Sequence, residues 1–452
     1  VERSQPRALS RPLPYWYDDA KFGIFVHWTA AAIPAFAPVG EAVFDLTGQT
    51  GWASSMGESP YVEWYQNSLW IEGSPAQRRH RELYGDLPYD AFVDQFLDST
   101  NGVDLEAWAD LFAAAGAKYV VLVTKHHDGV ALWPSATRNP FKPRWQAERD
   151  VVGELATAVR ARGMRFGTYY SGGLDWTFGG LPMCDIPGLL AAIPQSDEYR
   201  TYADAHWHEL IERYEPSVLW NDIGYPASAD LLALFEHYYG RVPDGVVNNR
   251  FDMIQQTGGM LHADFVTPEY MTDGSRYGRK WESTRGLGSS FGYNREESPE
   301  SYRSVDDLVE MVVDVVANGG NLLLNVGPAG DGSIPLVQAE RILGLGWWLR
   351  RNGEAIYETR PWRVAEGVTP EGLEVRFTAR DGDGDARVHA IVLGIPASNV
   401  VVIPELSLAD AGTVELLGHR GRLAARAVPA GIEVELPSRP PTGPAFALKF
   451  SR

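Results

Sequence analysis

A chain of 452 residues is too long for one small core and points to two or three domains. Its composition, 44% hydrophobic and 22% charged, is that of a folded globular protein and argues against disorder. With 59 acidic against 40 basic residues the formal net charge is -19, which disfavours nucleic acid and anionic membranes as partners and suits a neutral one.

The opening stretch, VERSQPRALSRPLPYWYDDA, has no apolar segment of the kind a secretory leader carries, and no run of about 18 apolar residues occurs anywhere. The expectation is a cytoplasmic protein without a membrane span; secretion is compatible with it if a leader was removed before this numbering begins. KFGIFVHW (21–28) reads as a strand. DLEAWADLFAAAGA (104–117) has apolar positions at helical spacing and leads into the strand KYVVLVTK (118–125). The unit repeats as helix 150–164 and strand 165–171, helix 202–214 and strand 217–222, then helix 228–240 and strand 245–250. The single cysteine, Cys184, falls within this series; it allows no internal disulfide and no thiolate metal cluster.

Shorter, less regular segments follow to about residue 300. SVDDLVEMVVDVVANGG (304–320) starts with a Ser/Asp cap and ends at glycine, before the strand NLLLNVGP (321–328). Repeated βα units without a phosphate-binding glycine fingerprint at the first strand predict an α/β fold with a (β/α)8-like barrel rather than a doubly wound sheet. After the helix 336–353 the texture changes: LEVRFTAR, VHAIVLGI, VVIPEL, TVELLG, IEVELP and AFALKF alternate apolar and polar residues between Gly, Asp and Pro turns. The expected division is a catalytic domain over 1–361 and an antiparallel β-sandwich over 362–452; binding glycan and bracing the barrel are its two candidate roles, and the lack of an exceptional aromatic cluster in its strands favours bracing.

Barrel enzymes react at the C-terminal ends of their strands. The strand ends here offer His27, the run Lys125-His126-His127-Asp128, Tyr169 and Tyr170, Asn221 and Asp222, and Asn248-Asn249-Arg250. Trp64, Trp176, Trp220 and Trp281 add flat apolar faces, and the mixture suits a sugar ring, which is itself amphipathic. Glycoside cleavage usually employs two carboxyl groups. Asp222 is the first member; Glu269 in DFVTPEY, Glu282 after Trp281 in a Gly- and Ser-rich loop, and Glu63 in YVEWYQ compete for the second place on nearly equal terms. Metal binding by His126 and His127 is the competing chemistry. Adjacent residues of a strand point to opposite faces, which disfavours chelation of one ion by this pair.

Taken together, WYDDAKFGIFVHW, AKYVVLVTKHHDGVALWPS, GTYYSGGLDW, VLWNDIG, VNNR, ADFVTPEY, WESTRGLGSSFGYN, GGNLLLNVGPAGDGSI and WWLRRNGEAIYETRPW resemble, in order, the motifs of glycoside hydrolase family 29, the retaining α-L-fucosidases. The resemblance spans about residues 15 to 362. It implies a barrel-like catalytic domain with a C-terminal β-sandwich, no metal and no other cofactor. It further implies Asp222 as nucleophile and Glu269 as acid/base, with Glu282 as second choice. His27, Glu63, Trp64, His126, His127, Tyr169, Trp220, Arg250 and Phe291 match positions that line the fucose pocket, and Trp281 is added to the substrate-binding set as one of the flat aromatic faces named above. One departure is Thr29, where the family commonly has glycine; another is NDIG after the strand.

The expected partner is a fucosylated glycan, with no nucleic acid or membrane, and an oligomer is compatible with the sequence. Two other readings stay open at this point: a non-catalytic carbohydrate-binding protein on a glycosidase scaffold, and a metal-dependent hydrolase using His126 and His127.

Overall fold

The computed structural model describes residues 9, 11–40, 56–252, 262–380, 387–407, 412–438 and 442–451. Of the opening twenty residues, 1–8 and 10 lie outside this set, so the expectation drawn from that stretch falls partly outside it. A short helix α1 (Tyr15–Ala20) leads into strand β1 (Phe22–Val26). Helices α2 (Tyr65–Leu69), α3 (Pro75–Tyr84), α4 (Tyr89–Ser99) and α5 (Leu105–Ala114) precede β2 (Tyr119–Lys125). Next come α6 (Val151–Ala161) and β3 (Arg165–Ser171), then α7 (Ile186–Ala191), α8 (Asp197–Tyr214) and β4 (Val218–Asp222). They are followed by α9 (Leu231–Arg241), β5 (Val246–Val247), β6 (Glu282–Gly286), α10 (Val305–Ala317), β7 (Asn321–Val326) and α11 (Leu336–Asn352).

The seven strands pair in parallel in the order β5-β4-β3-β2-β1-β7-β6. Isolated parallel bridges Asn248↔Phe265, Val266↔Trp281 and Glu269↔Thr284 carry the segment 265–269 between the two edges, so an irregular eighth element curls the sheet toward a barrel. Two-residue alternation sorts the side chains. Phe22, Ile24 and Val26 of β1 pack outward with the helices, as do Val120, Leu122, Leu219, Leu322 and Leu324. Phe25, Tyr119, Val121, Val123, Tyr169, Val218, Trp220 and Leu323 face inward and fill the barrel. Gly23 takes an inward position because a Cβ there would lie 2.5 Å from the Tyr119 ring.

Two of the expected elements are altered. The strand 245–250 shrinks to Val246–Val247, because residues 249–252 turn into a 3-10 helix that brings Arg250 over the barrel mouth. Glu282, expected in a loop, opens strand β6. Among the described residues no helix is long and apolar enough to cross a membrane.

The C-terminal part comprises β8 (Arg360–Val368), β9 (Glu374–Arg380), β10 (Arg387–Leu393), β11 (Val400–Ile403), β12 (Thr413–Leu416), β13 (Ala425–Val428), β14 (Gly431–Glu435) and β15 (Ala445–Ser451). They form a five-stranded sheet, β12-β15-β10-β9-β8, and a three-stranded sheet, β11-β14-β13, with antiparallel pairing throughout. Their alternating apolar residues, among them Val375, Phe377, Ile403, Val434 and Phe450, make a separate core. The Trp348 indole donates to the Ala445 carbonyl at 2.8 Å, and Arg376 pairs with Asp314 at 2.7 Å; both contacts tie these sheets to the helical layer.

Candidate active site

Alternation carries chemistry to the mouth of the barrel. Phe25 faces inward on β1, so His27, two residues on, does so too; Leu323 and Asn325 of β7 repeat the pattern. The two ends meet, with His27 Nδ1 2.5 Å from Asn325 Oδ1, while the Asn325 amide donates to the Phe291 carbonyl at 2.6 Å. On β4, Trp220 and Asp222 share the inward face. Tyr169 Oη donates to Asp222 Oδ2 at 2.8 Å, and the Ile223 amide donates to Oδ1 at 3.0 Å. These donors hold the carboxylate in one orientation at the strand tip.

Arg250 joins the carboxylates. Its Nη1 donates to Asp222 Oδ1 at 2.9 Å, and its Nη2 donates to Glu269 Oε1 at 2.7 Å. Nε donates to Thr267 Oγ1 at 2.8 Å, and the guanidinium lies 4.6 Å from the centre of the Trp220 ring. Burial works against the guanidinium charge, but the two carboxylates prevail and hold Arg250 firmly protonated. Burial also pushes the Glu269 carboxyl up; Arg250 opposes the shift and the charge of Asp222 reinforces it. One carboxylate therefore stands oriented and beside a cation, while its neighbour is biased toward the protonated form.

The histidines stand opposite. His126 and His127 lie beyond the end of β2, with ring centroids 3.9 Å apart. The opposite-face expectation fails because strand alternation stops at Lys125. His126 stacks parallel to Tyr169 at 5.6 Å, and His127 Nδ1 lies 2.6 Å from Ser171 Oγ. Burial lowers His27 to about 4 and His127 to about 3, and pushes His126 well below the ordinary histidine value. All three are thus neutral near pH 7; with Nδ1 of His27 and of His127 already engaged, Nε2 is the nitrogen each of these rings has left for a hydroxyl-rich ligand.

Glu63 enters from a 3-10 turn, Val62–Trp64. It accepts from the Gly292 amide at 2.9 Å, and burial raises its carboxyl to about 7. Trp64 meets His127 edge-on at 5.1 Å and Trp176 at 5.8 Å; Phe291 lies 5.0 Å from His27. Trp64, Trp176, Phe291 and Tyr61 belong to one apolar cluster at this end of the barrel. Below it a buried Lys125–Asp175 pair, 3.1 Å apart, ties the His126/His127 loop to the loop after β3.

Two expected members lie elsewhere. The Trp281 ring packs where Cβ atoms on Gly274 and Gly320 would touch it, and its indole donates to the Asn318 carbonyl at 3.0 Å, so it belongs to the outer core. Glu282 sits fully buried at the opposite, N-terminal end of the strands, where it accepts from Tyr17 at 2.8 Å, Tyr119 at 2.5 Å and Trp220 at 3.1 Å. Thr29, the departure from glycine, has φ of -132°. That is extended backbone open to any residue. Asn325, Ser171 and Thr267 were not singled out in the sequence; the inward parity of β7 and β3 was the available signal for the first two.

The family model for alpha-L-fucosidase matches residues 2–354. The chain belongs to the alpha-L-fucosidase family. It is 34% identical over 454 residues to the tissue alpha-L-fucosidase of Rattus norvegicus, covering 96% of this chain and 88% of that one. The alpha-L-fucosidase of Dictyostelium discoideum is 31% identical, with 95% and 87% covered. Among solved structures, Thermotoga maritima alpha-fucosidase in complex with a mechanism-based inhibitor is 42% identical and superposes with a TM-score of 0.86 over 99% of this chain and 100% of that chain. The same enzyme in complex with fucose gives 42% and 0.85 over the same shares. As an alpha-L-fucosidase the chain is a glycoside hydrolase, with a curled parallel catalytic sheet and C-terminal antiparallel sheets.

Proposed function

We propose that the chain releases terminal α-L-fucosyl units from fucosylated glycans by double displacement, with Asp222 as nucleophile and Glu269 as acid/base. The observation that carries this reading is the shared guanidinium: one Arg250 side chain bonds both carboxylates. A separation spanned by one planar fork suits the roughly 5–5.5 Å of a retaining pair better than the roughly 6.5–9.5 Å gap that admits a water. Asp222 attacks the anomeric carbon as Glu269 delivers its proton to the departing oxygen, and a fucosyl ester forms on Asp222. Glu269, now ionised, takes a proton from water as that water attacks the same carbon; fucose leaves and Asp222 is regenerated.

His27, His126, His127, Glu63 and Arg250 bind ring hydroxyls in this reading, with Tyr169 positioning Asp222. Trp64, Trp220 and Phe291 enclose the apolar side, including the C6 methyl. A filled methyl site is worth about 1–3 kcal/mol of preference for fucose over a sugar that does not fit it. The fucose complex of the Thermotoga maritima relative supports a fucosylated substrate. Neither a non-catalytic binding protein nor a His126/His127 metallohydrolase is favoured beside these relatives. We further take residues 1–361 as the catalytic domain and 362–452 as a sandwich that braces it, a division supported by the separate apolar core of the C-terminal sheets.

The test is the anomer first formed. NMR of an aryl α-L-fucoside during early turnover is expected to detect α-L-fucose before mutarotation. The β anomer as first product would overturn the double displacement.

A further inference from the structure

We propose that His208, Glu212 and His237 form a binding site for a divalent transition-metal cation of the zinc type, which clamps α8 to α9. His208 and Glu212 are one helical turn apart on α8 and so share a face. His237 comes from the neighbouring α9. One ligand atom from each of the three lies within 4.8 Å of the others, and the two imidazole rings are 4.5 Å apart at an angle of 58°.

A second observation points to a ligand. His237 Nε2 is shut off from water and has no hydrogen-bond partner, and Glu212 Oε1 lies 3.6 Å away, beyond hydrogen-bond reach. Burying such an atom unpaired is costly. A cation between the imidazoles and the carboxylate would satisfy it.

The donor set selects the metal. Two imidazoles and a carboxylate with an open fourth position suit zinc, whereas magnesium and calcium prefer oxygen donors. Bonds of about 2.0–2.2 Å bring tetrahedral ligands to roughly 3.4 Å apart. Glu212, on the exposed side, has the freedom to close that distance. The net charge of -19 concentrates cations near the surface. Helices α8 and α9 flank β4, whose last residue is Asp222, so the clamp braces the strand of the proposed nucleophile without touching the reaction centre.

The experiment uses the full chain without a histidine tag, stripped with chelator and dialysed, then titrated with zinc chloride by calorimetry beside His208→Gln/His237→Gln and Glu212→Gln. One equivalent is expected to bind the wild type, at least about a hundredfold more tightly than the double variant, with Glu212→Gln in between. At a hundredfold excess over Kd, zinc is expected to raise the wild-type Tm by about 2–4 °C and leave that of the double variant unchanged. Retained hydrolysis of an aryl fucoside by both variants reports that they are folded. Equal zinc affinity in wild type and double variant, or no saturable binding to the wild type, would overturn the site.

Discussion

Two glutamates of one barrel differ in almost everything except residue type. Glu282, at the N-terminal end, is fully buried and takes donors from Tyr17, Tyr119 and Trp220. Glu269, at the mouth, keeps a partly open side chain and one charged partner, Arg250, which it shares with Asp222. Burial raises both carboxyls. A buried, perturbed glutamate is therefore not by itself a reactive one. What distinguishes the pair is access and the neighbouring carboxylate. Trp220 links the two ends: its indole donates to Glu282 and its ring lies under Arg250 and beside Tyr169. The lower glutamate thus supports the floor on which the upper group rests.

The largest effect that would sharpen this contrast is at the mouth. Asp222→Ala is expected to lower kcat on an aryl α-L-fucoside by about three or more orders of magnitude, since covalent capture of the sugar is lost. Near-normal turnover in that variant would remove Asp222 from the nucleophile role.

The two glutamates themselves come next. Glu269→Ala is expected to slow hydrolysis of poor leaving groups by about 10²–10⁴-fold while affecting activated aryl leaving groups far less, the signature of a lost general acid. Glu282→Ala leaves buried donors without an acceptor, at about 1–3 kcal/mol for each. It should shift the denaturant midpoint and leave the dependence on leaving group flat. A steep leaving-group dependence in Glu282→Ala with none in Glu269→Ala would reverse the comparison.

The sequence carried the strand-borne part of the site well. Inward parity from Phe25 to His27 and from Trp220 to Asp222 follows from two-residue alternation. The irregular parts were less legible. Glu269 sits in a segment joined to its neighbours by single bridges, so no run of alternation announces it. Trp281 and Glu282 depend on where β6 begins, and a strand of ESTRG, poor in large apolar residues, reads like a loop. The His126/His127 pair turns on whether β2 ends before or after it. In the C-terminal sheets, β13 was missed because ARAV is mostly exposed and shows no apolar alternation.

The smallest effect is electrostatic and concerns Glu63, a third glutamate, buried at the mouth, whose hydrogen-bond donors Ser290 and Gly292 are uncharged. Burial raises its carboxyl to about 7, against about 4.5 when unfolded. Between these values the folded protein binds more protons here than the unfolded chain, so stability from this group is complete below about pH 4.5 and declines as pH rises through about 7. Glu63→Gln removes that titration while retaining an acceptor for the Gly292 amide. Urea unfolding of wild type and variant at pH 5 and pH 8 should therefore show the variant gaining on the wild type by about 1–3 kcal/mol at the higher pH. An unchanged difference between the two pH values would mean that Glu63 is ionised in the folded state throughout, its donors outweighing burial.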